Sequence, residues 1–432
     1  MDEKIIVIGA GVTGVFAVTK LIKKGYPGNK ITIIDIGKDP YRRQPEEVMH
    51  GFLGAGAWSD GKLVYKNNQI GGHLSKYCGE AKADLLVSEV VEMIKIFHPE
   101  PDKIGFSNPI EEPDFIKPYF SLRMAPTWHI GTSYLHKMGK IWYDWLIEKG
   151  VTFLWKHQVI NVDFNRNIIF LKDNNSEEHF LYYDRLIYAT GKSGIDLTEK
   201  IIKNNGIETE PKPLQIGVRF EAPQHYFQKI LDISYDFKLY QDFDEISIRS
   251  FCTNSNSAYI AEENTYEMIT YNGHSTGREE DRNNMVNFGI IMSIKDINNP
   301  FKYGLELVKR GQINLRGVFY SPKRNNSLTS EGKPVKCHCV RDLDIFIKTY
   351  GKYSTYILNY ISDLNKIFKF GDDYSFYFPE IKFLSDEVLV NYDDLSLKQY
   401  PNVHFGGDSL SSRGISVSAA QGLYIAESIL RK

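Results

Sequence analysis

The sequence predicts an α/β fold in which a parallel sheet is assembled from discontinuous segments and joined to a second, α+β domain with a mixed sheet. Three observations predict it. An apolar stretch, Lys4-Ile5-Ile6-Val7-Ile8, runs directly into Gly9-Ala10-Gly11-Val12-Thr13-Gly14 and then into a helix-like stretch ending near Gly25. A second apolar run, Ile31-Thr32-Ile33-Ile34, delivers Asp35. At the far end, Asn402-Val403-His404-Phe405 runs into Gly406-Gly407-Asp408, ahead of a helical stretch over about 415–430.

Each residue of the first element has a task. Gly9 permits the tight strand-to-helix turn, Gly11 lets backbone approach a pyrophosphate, and Gly14 allows close helix-on-strand packing. Phosphates then meet the unpaired N–H groups of the helix start, around Val12 and Thr13, where the macrodipole favours negative charge. Val15, Val18, Leu21 and Ile22 recur at helical spacing. Asp35 stands where a carboxylate accepts ribose hydroxyls. Strand, glycines, helix, strand and acid in this order define a Rossmann-like, dinucleotide-binding unit.

The C-terminal element selects FAD over NAD as the resident cofactor. In two-dinucleotide flavoproteins the Gly-Asp block, here Gly407-Asp408, binds the ribitol chain, and the helix after it points its N-terminus at the flavin pyrimidine ring. Here that N-terminus comprises Gly414, Ile415 and Ser416. Negative charge grows on that ring on reduction, and a helix N-terminus stabilises it. Residues 151–162 alternate like a strand and place Val159 for a backbone contact to adenine. Arg185-Leu186-Ile187-Tyr188 ends in Ala189-Thr190-Gly191, the return of the chain past the cofactor.

Beyond these elements, Gly54-Ala55-Gly56-Ala57-Trp58-Ser59-Asp60-Gly61-Lys62-Leu63 resembles a loop of a widespread, poorly characterised family of FAD-dependent dehydrogenases with a glutathione-reductase-like FAD domain. Ile216-Gly217-Val218-Arg219-Phe220-Glu221, Arg249-Ser250-Phe251-Cys252, Asn272-Gly273-His274-Ser275 and Gly407 through Gly414 resemble further blocks of that family, in its order. The resemblance implies the fold and FAD, with Ser59, Asp60, Gly61 and Lys62 at the cofactor, but no single substrate. The chain departs from the family after Cys252, where Thr253-Asn254-Ser255 replaces the usual second cysteine and Pro-Gly-Gly turn. No vicinal cysteine redox pair is therefore possible there.

Length and composition agree. A chain of 432 residues is long for one core and suits a cofactor domain plus a substrate domain. A net charge of −2 gives no electrostatic case for nucleic acid or an acidic membrane surface. The start Met1-Asp2-Glu3-Lys4 lacks a signal-peptide core, and no apolar run spans a bilayer, so a cytoplasmic location is expected. Four cysteines are too few for a disulfide framework. Cys337-His338-Cys339 lacks the second ligand pair that tetrahedral zinc requires, so no metal site is expected. Oligomeric state is left open.

The discontinuous cofactor elements divide the chain into an FAD domain over 1–75, 125–200 and 385–432, an insertion over 76–124, and a substrate domain over 201–384. Helix is expected over 83–97 and 342–365, the latter with Leu343, Phe346 and Ile347 on one face. Strands are expected over 216–220, 246–251, 266–271 and 286–293.

Catalytic candidates follow from flavin chemistry, in which protein groups position substrate, move protons and tune the ring. His274 can act as acid or base near neutrality, Lys62 can stabilise reduced flavin, and Cys252 can touch flavin or substrate. Arg219 and Arg278 can hold an anionic substrate, and His129 can line the pocket. With one Rossmann fingerprint only, NAD(P)H is expected as a transient reductant, with substrate or another protein as other electron sources. The expected function is an FAD-dependent oxidoreductase passing a hydride through flavin N5 to or from a small organic molecule. The alternatives are a flavoenzyme acting on a nucleic-acid base or macromolecule-linked group, and a non-catalytic FAD-binding scaffold.

Overall fold

The computed structural model describes all residues except 1, 45, 46, 48, 58–60, 65–73, 108–110, 125, 126, 131, 235, 257, 266, 267, 276–282, 296, 298, 312–317, 323–337, 341, 342, 383–385, 413 and 432. The chain forms two compact units, one of Met1–Asn108, Ala125–Glu210 and Ser385–Lys432, the other of Pro109–Met124 and Pro211–Leu384.

The first unit is built on a five-stranded parallel sheet in the spatial order Val403–Phe405, Arg185–Tyr188, Ile5–Ile8, Ile31–Asp35 and Thr152–Trp155. The central strand reads as an unbroken apolar run because both of its faces are covered, and Ile5, Ile6 and Val7 have no exposed surface. Burial of each such side chain stabilises the unit by about 1.5–3 kcal/mol. The helix Val12–Lys23 follows the first strand, and the long helix Ile415–Arg431 packs along it so closely that a Cβ on Gly422 would lie 2.2 Å from the Thr13 carbonyl oxygen.

Residues 151–162, expected as one strand, form two. Thr152–Trp155 joins the parallel sheet; the chain turns at Lys156, whose φ is 57°, and Gln158–Asp163 opens a three-stranded antiparallel sheet with Ile168–Lys172 and Glu178–Tyr182. Alternation alone does not register such a turn. The helix expected over 83–97 spans Glu80–Phe97 and belongs to this unit.

The second unit carries an eight-stranded mixed sheet whose central strands are Ser375–Lys382, Leu214–Pro223, Met285–Ile294 and Ile246–Asn256, all antiparallel. One parallel pair, Val318–Tyr320 with His338–Val340, lies at its edge. The segment Met268–Ser275 stays out of this sheet and pairs instead with Ala258–Thr265 as a hairpin. One sheet face packs Val218, Phe220, Phe288 and Phe376 into an apolar cluster with Phe346, Tyr350, Ile357, Tyr360 and Leu364. The helical region expected over 342–365 is split at Gly351, φ 54°, into Asp344–Tyr350 and Ser354–Phe368. Phe346 is fully buried but Ile347 is 45% exposed, because the buried stripe continues through Tyr350, one turn beyond Phe346, and passes Ile347 by.

Candidate functional site

The glycine turn of the first unit has the geometry its sequence requires. Gly9 has φ +104°, and a Cβ there would sit 2.2 Å from the Ala189 carbonyl oxygen, so the return strand lies directly against the turn. A Cβ on Gly14 would meet the Gly9 carbonyl oxygen at 2.3 Å. Gly11 differs: a Cβ there would meet nothing closer than the Ala189 carbonyl oxygen at 4.0 Å, which leaves open space over the helix start. No side chain caps that helix, and Val15 N–H is the first to reach back, to Gly11 O at 3.0 Å. The first-turn N–H groups of Val12, Thr13 and Gly14 are thus available to an external acceptor.

Asp35, at the end of its strand, fastens the surroundings. Its Oδ2 accepts the Ala10 N–H at 2.8 Å, and its Oδ1 accepts the N–H groups of Gly37 at 2.7 Å and Gly51 at 2.9 Å. Arg43, which sequence reasoning missed, is 7% exposed and donates to the carbonyls of Glu47, Phe52 and Gly54, shaping the turn that ends in the 3₁₀ segment Gly54–Ala57. Burial pulls its guanidinium down to about 10, against the opposing pull of Asp35 and Glu47, and it stays charged at neutrality. Nothing in the local sequence distinguishes Arg43 from its neighbour Arg42.

The three cofactor elements expected from sequence converge here. A Cβ on Gly56 would lie 2.5 Å from Val12 Cγ2 and 3.7 Å from Ile415 Cγ1, so the Gly54–Ala57 turn sits between the starts of two long helices. Gly406 and Gly407 pack on Thr13, and Gln421 of the terminal helix accepts the Gly407 N–H at 2.8 Å, holding the Gly407–Leu410 turn that carries Asp408. Ser416 is 3% exposed and its Oγ is buried without a hydrogen-bond partner. Glu387, also unexpected, ties Ser411 to Lys76 and Tyr77. Burial works against its charge, but the hydrogen bonds from Ser411, Tyr77 and Lys76 outweigh this and hold the carboxyl below its usual value.

A cavity of about 710 Å³ opens beyond Asp35, lined by Ile36, Gly37, Lys38, Met49, Lys156 and Gln158. Val159, expected beside adenine, follows Gln158 on the same strand and is 6% exposed. Thr190 and Gly191 follow Ala189 out of the return strand, with Thr190 Oγ1 near Thr198 Oγ1 at 3.3 Å and Gly191 at φ 63°. The open face of Gly11, the uncapped helix start, the partnerless Ser416 hydroxyl and the cavity beyond Asp35 fit a dinucleotide in extended form.

Gly61 is buried and its carbonyl accepts the Ile130 N–H. Lys62 stands opposite His129 in a three-stranded antiparallel sheet, so two candidates remote in sequence share one register position. Ser59, Asp60 and Arg278 lie outside the described residues, as does Cys337. Gly414 has φ 83° with open space around it.

In the second unit the candidates gather around Arg219, which is fully buried. It donates through Nε to Asn287 Oδ1 at 2.9 Å and through Nη2 to the Cys252 carbonyl at 2.7 Å, and its Nη1 faces Glu380 at 3.6 Å. Gly273, the residue before His274, lies against this guanidinium: a Cβ there would be 1.7 Å from Arg219 Nη2. Cys252 is a free cysteine at φ 49°, inside the register shift that separates Phe251 from Asn254 along the neighbouring strand. Sequence signals did not reveal Asn287, Glu380 or Lys382, whose Nζ donates to Glu380 at 3.0 Å.

No protein-family model matches the chain, and no curated protein does. Similar solved structures include a flavoprotein/dehydrogenase from Cytophaga hutchinsonii, at 11% identity over 99% of this chain and 78% of that one, TM-score 0.42. They also include a formate oxidase from Aspergillus oryzae RIB40, studied for FAD modification, at 9% identity over 99% and 98%, TM-score 0.47. A third is the L-proline dehydrogenase from P. horikoshii, at 12% identity over 100% and 94%, TM-score 0.39. At these identities and TM-scores the chemistry has to be read from the residues of this chain. Among the described residues no helix is long and apolar enough to cross a membrane.

Proposed function

We propose that the chain is an FAD-dependent oxidoreductase acting on a small organic substrate. The observation that carries this reading is the meeting of two helix starts, at Val12 and Ile415, on either side of Gly56, one beneath an open glycine cradle and the other bearing a buried hydroxyl with no partner.

In this reading the N–H groups after Gly11 hold the pyrophosphate and Asp35 keeps their turn closed while facing the ribose. The backbone at Val159 meets adenine, and Asp408 meets the ribitol chain. Gly61 and Lys62 are the proposed contacts of the loop that Ser59 and Asp60 share in sequence, and the return past Ala189, Thr190 and Gly191 closes the other side. The N-terminus at Ile415 and Ser416 places positive potential where the flavin pyrimidine would lie. When bound, the flavin supplies a hydride acceptor and donor at N5. In the first unit Lys62 is the proposed group that opposes developing negative charge and His129 the proposed pocket residue; in the second unit His274 is the proposed proton carrier, Cys252 the proposed redox contact and Arg219 and Arg278 the proposed anion-binding groups. One dinucleotide fingerprint implies that NAD(P)H, where it serves, visits transiently.

The test is the anaerobic visible spectrum of the purified protein before and after NADH or NADPH. Flavin bands that bleach establish a nicotinamide-reducible flavoenzyme; bands that persist direct the search to substrate-fed electrons or a scaffold. Absence of flavin after reconstitution with FAD refutes the proposal.

A further inference from the structure

The second unit's large sheet is apolar on one face and charged on the other. Alternation along Ile246–Asn256 turns Ile248 into the apolar cluster and puts Arg249 and Phe251 on the charged face. Three cations surround the Phe251 ring: Lys382 Nζ at 5.2 Å, and Lys238 Nζ and the Arg249 guanidinium carbon at 5.5 Å from its centroid. Two are matched by acids, Lys238 by Asp236 and Lys382 by Glu380. Arg249 is not. Its Nη1 donates to the Tyr240 hydroxyl at 3.1 Å, its Nε is buried without an acceptor, and no carboxylate pairs with it among the described residues. A guanidinium carries five donors, and a buried one left without an acceptor is costly.

We propose that Arg249 receives the carboxylate of a small organic acid whose apolar body lies against Phe251. The planar fork of arginine matches a carboxylate in two parallel hydrogen bonds, which a lysine in its place would not offer. Lys238 and Lys382 beside the ring add positive potential, while the ring itself gives an apolar body a surface that a bare inorganic anion would leave uncovered. As a binding site it stands on residues of the second unit alone; as the substrate site of the enzyme it rests on the oxidoreductase reading above.

The experiment is calorimetric titration of the purified protein with phenylacetate and with phenylacetamide, its neutral counterpart, while flavin content is read separately from the visible spectrum. Phenylacetate should bind at least about tenfold more tightly than the amide. Arg249→Met should raise the phenylacetate Kd by about the same factor and leave the amide unchanged, and Phe251→Leu should weaken both. Equal affinities for acid and amide in the unsubstituted protein, or no binding of either, overturn the proposal without recourse to a variant. Preferential binding of phenylacetate by a protein that holds no flavin even after reconstitution with FAD supports the site and refutes the oxidoreductase reading. A flavin-loaded protein indifferent to phenylacetate does the reverse.

Discussion

The Asp35 carboxylate accepts the Ala10 backbone N–H at 2.8 Å, joining the end of the second strand to the glycine turn that follows the first. Because the same carboxylate also accepts the N–H groups of Gly37 and Gly51, it braces the turn, its own loop and the approach to Gly54 together. Asp35→Ala strands three backbone donors. The expected outcome is a loss of about 1–3 kcal/mol in denaturant unfolding, with weakened flavin retention. Unchanged stability and unchanged flavin content in Asp35→Ala would remove this bracing role.

Gly9 and Gly11 should respond in opposite ways. Gly9→Ala forces a Cβ to 2.2 Å from the Ala189 carbonyl in left-handed backbone, and should destabilise the protein by about 1–3 kcal/mol, seen as a lowered thermal midpoint. Gly11→Ala meets nothing closer than 4.0 Å, so its stability should stay within about 0.5 kcal/mol of the parent, yet FAD should bind less tightly because the new methyl occupies the phosphate approach. Equilibrium dialysis against FAD separates the two effects.

Arg219 is a fully buried cation opposite the fully buried Glu380. Arg219→Met leaves Glu380, among the described residues, with Lys382 as its cation and Asn287 without its main donor. A cost of about 3–5 kcal/mol is expected in urea unfolding, and the double substitution Arg219→Met, Glu380→Gln should recover part of it.

Glu387 sets an acid limit on stability. Its carboxyl titrates below 4.5 in the folded chain because Ser411, Tyr77 and Lys76 donate to it against the cost of burial. A depressed folded pKa means the unfolded chain binds the proton first, so the contribution is present above pH 4.5 and is lost as pH falls through the folded value. Glu427, lowered by Lys82 and Lys20 despite burial, acts in the same direction. Unfolding free energy measured between pH 6 and about 3 should therefore fall on the acid side, and less steeply in Glu387→Gln.

The parallel core and the glycine turn of the candidate site were legible because each rests on local rules. Four apolar residues before a glycine-rich turn read as a buried strand feeding a helix, and the Gly406-Gly407-Asp408 block follows a short strand in the same way at the other end. The turn at Lys156 and the break at Gly351 were less legible, since a single residue of positive φ interrupts a pattern without changing its composition.

What the sequence by itself determined is the class of fold and the positions of the glycine turns at its two ends, because glycines and strand runs act over a few neighbouring positions. Tertiary structure alone decided that Gly56 would lie between Val12 and Ile415, that Arg43 and Glu387 would brace the cradle, and that Arg249 would stand beside Phe251 with no acid to match it. Those relationships join residues far apart in the chain, and they arise from packing of whole elements, which no local spacing encodes.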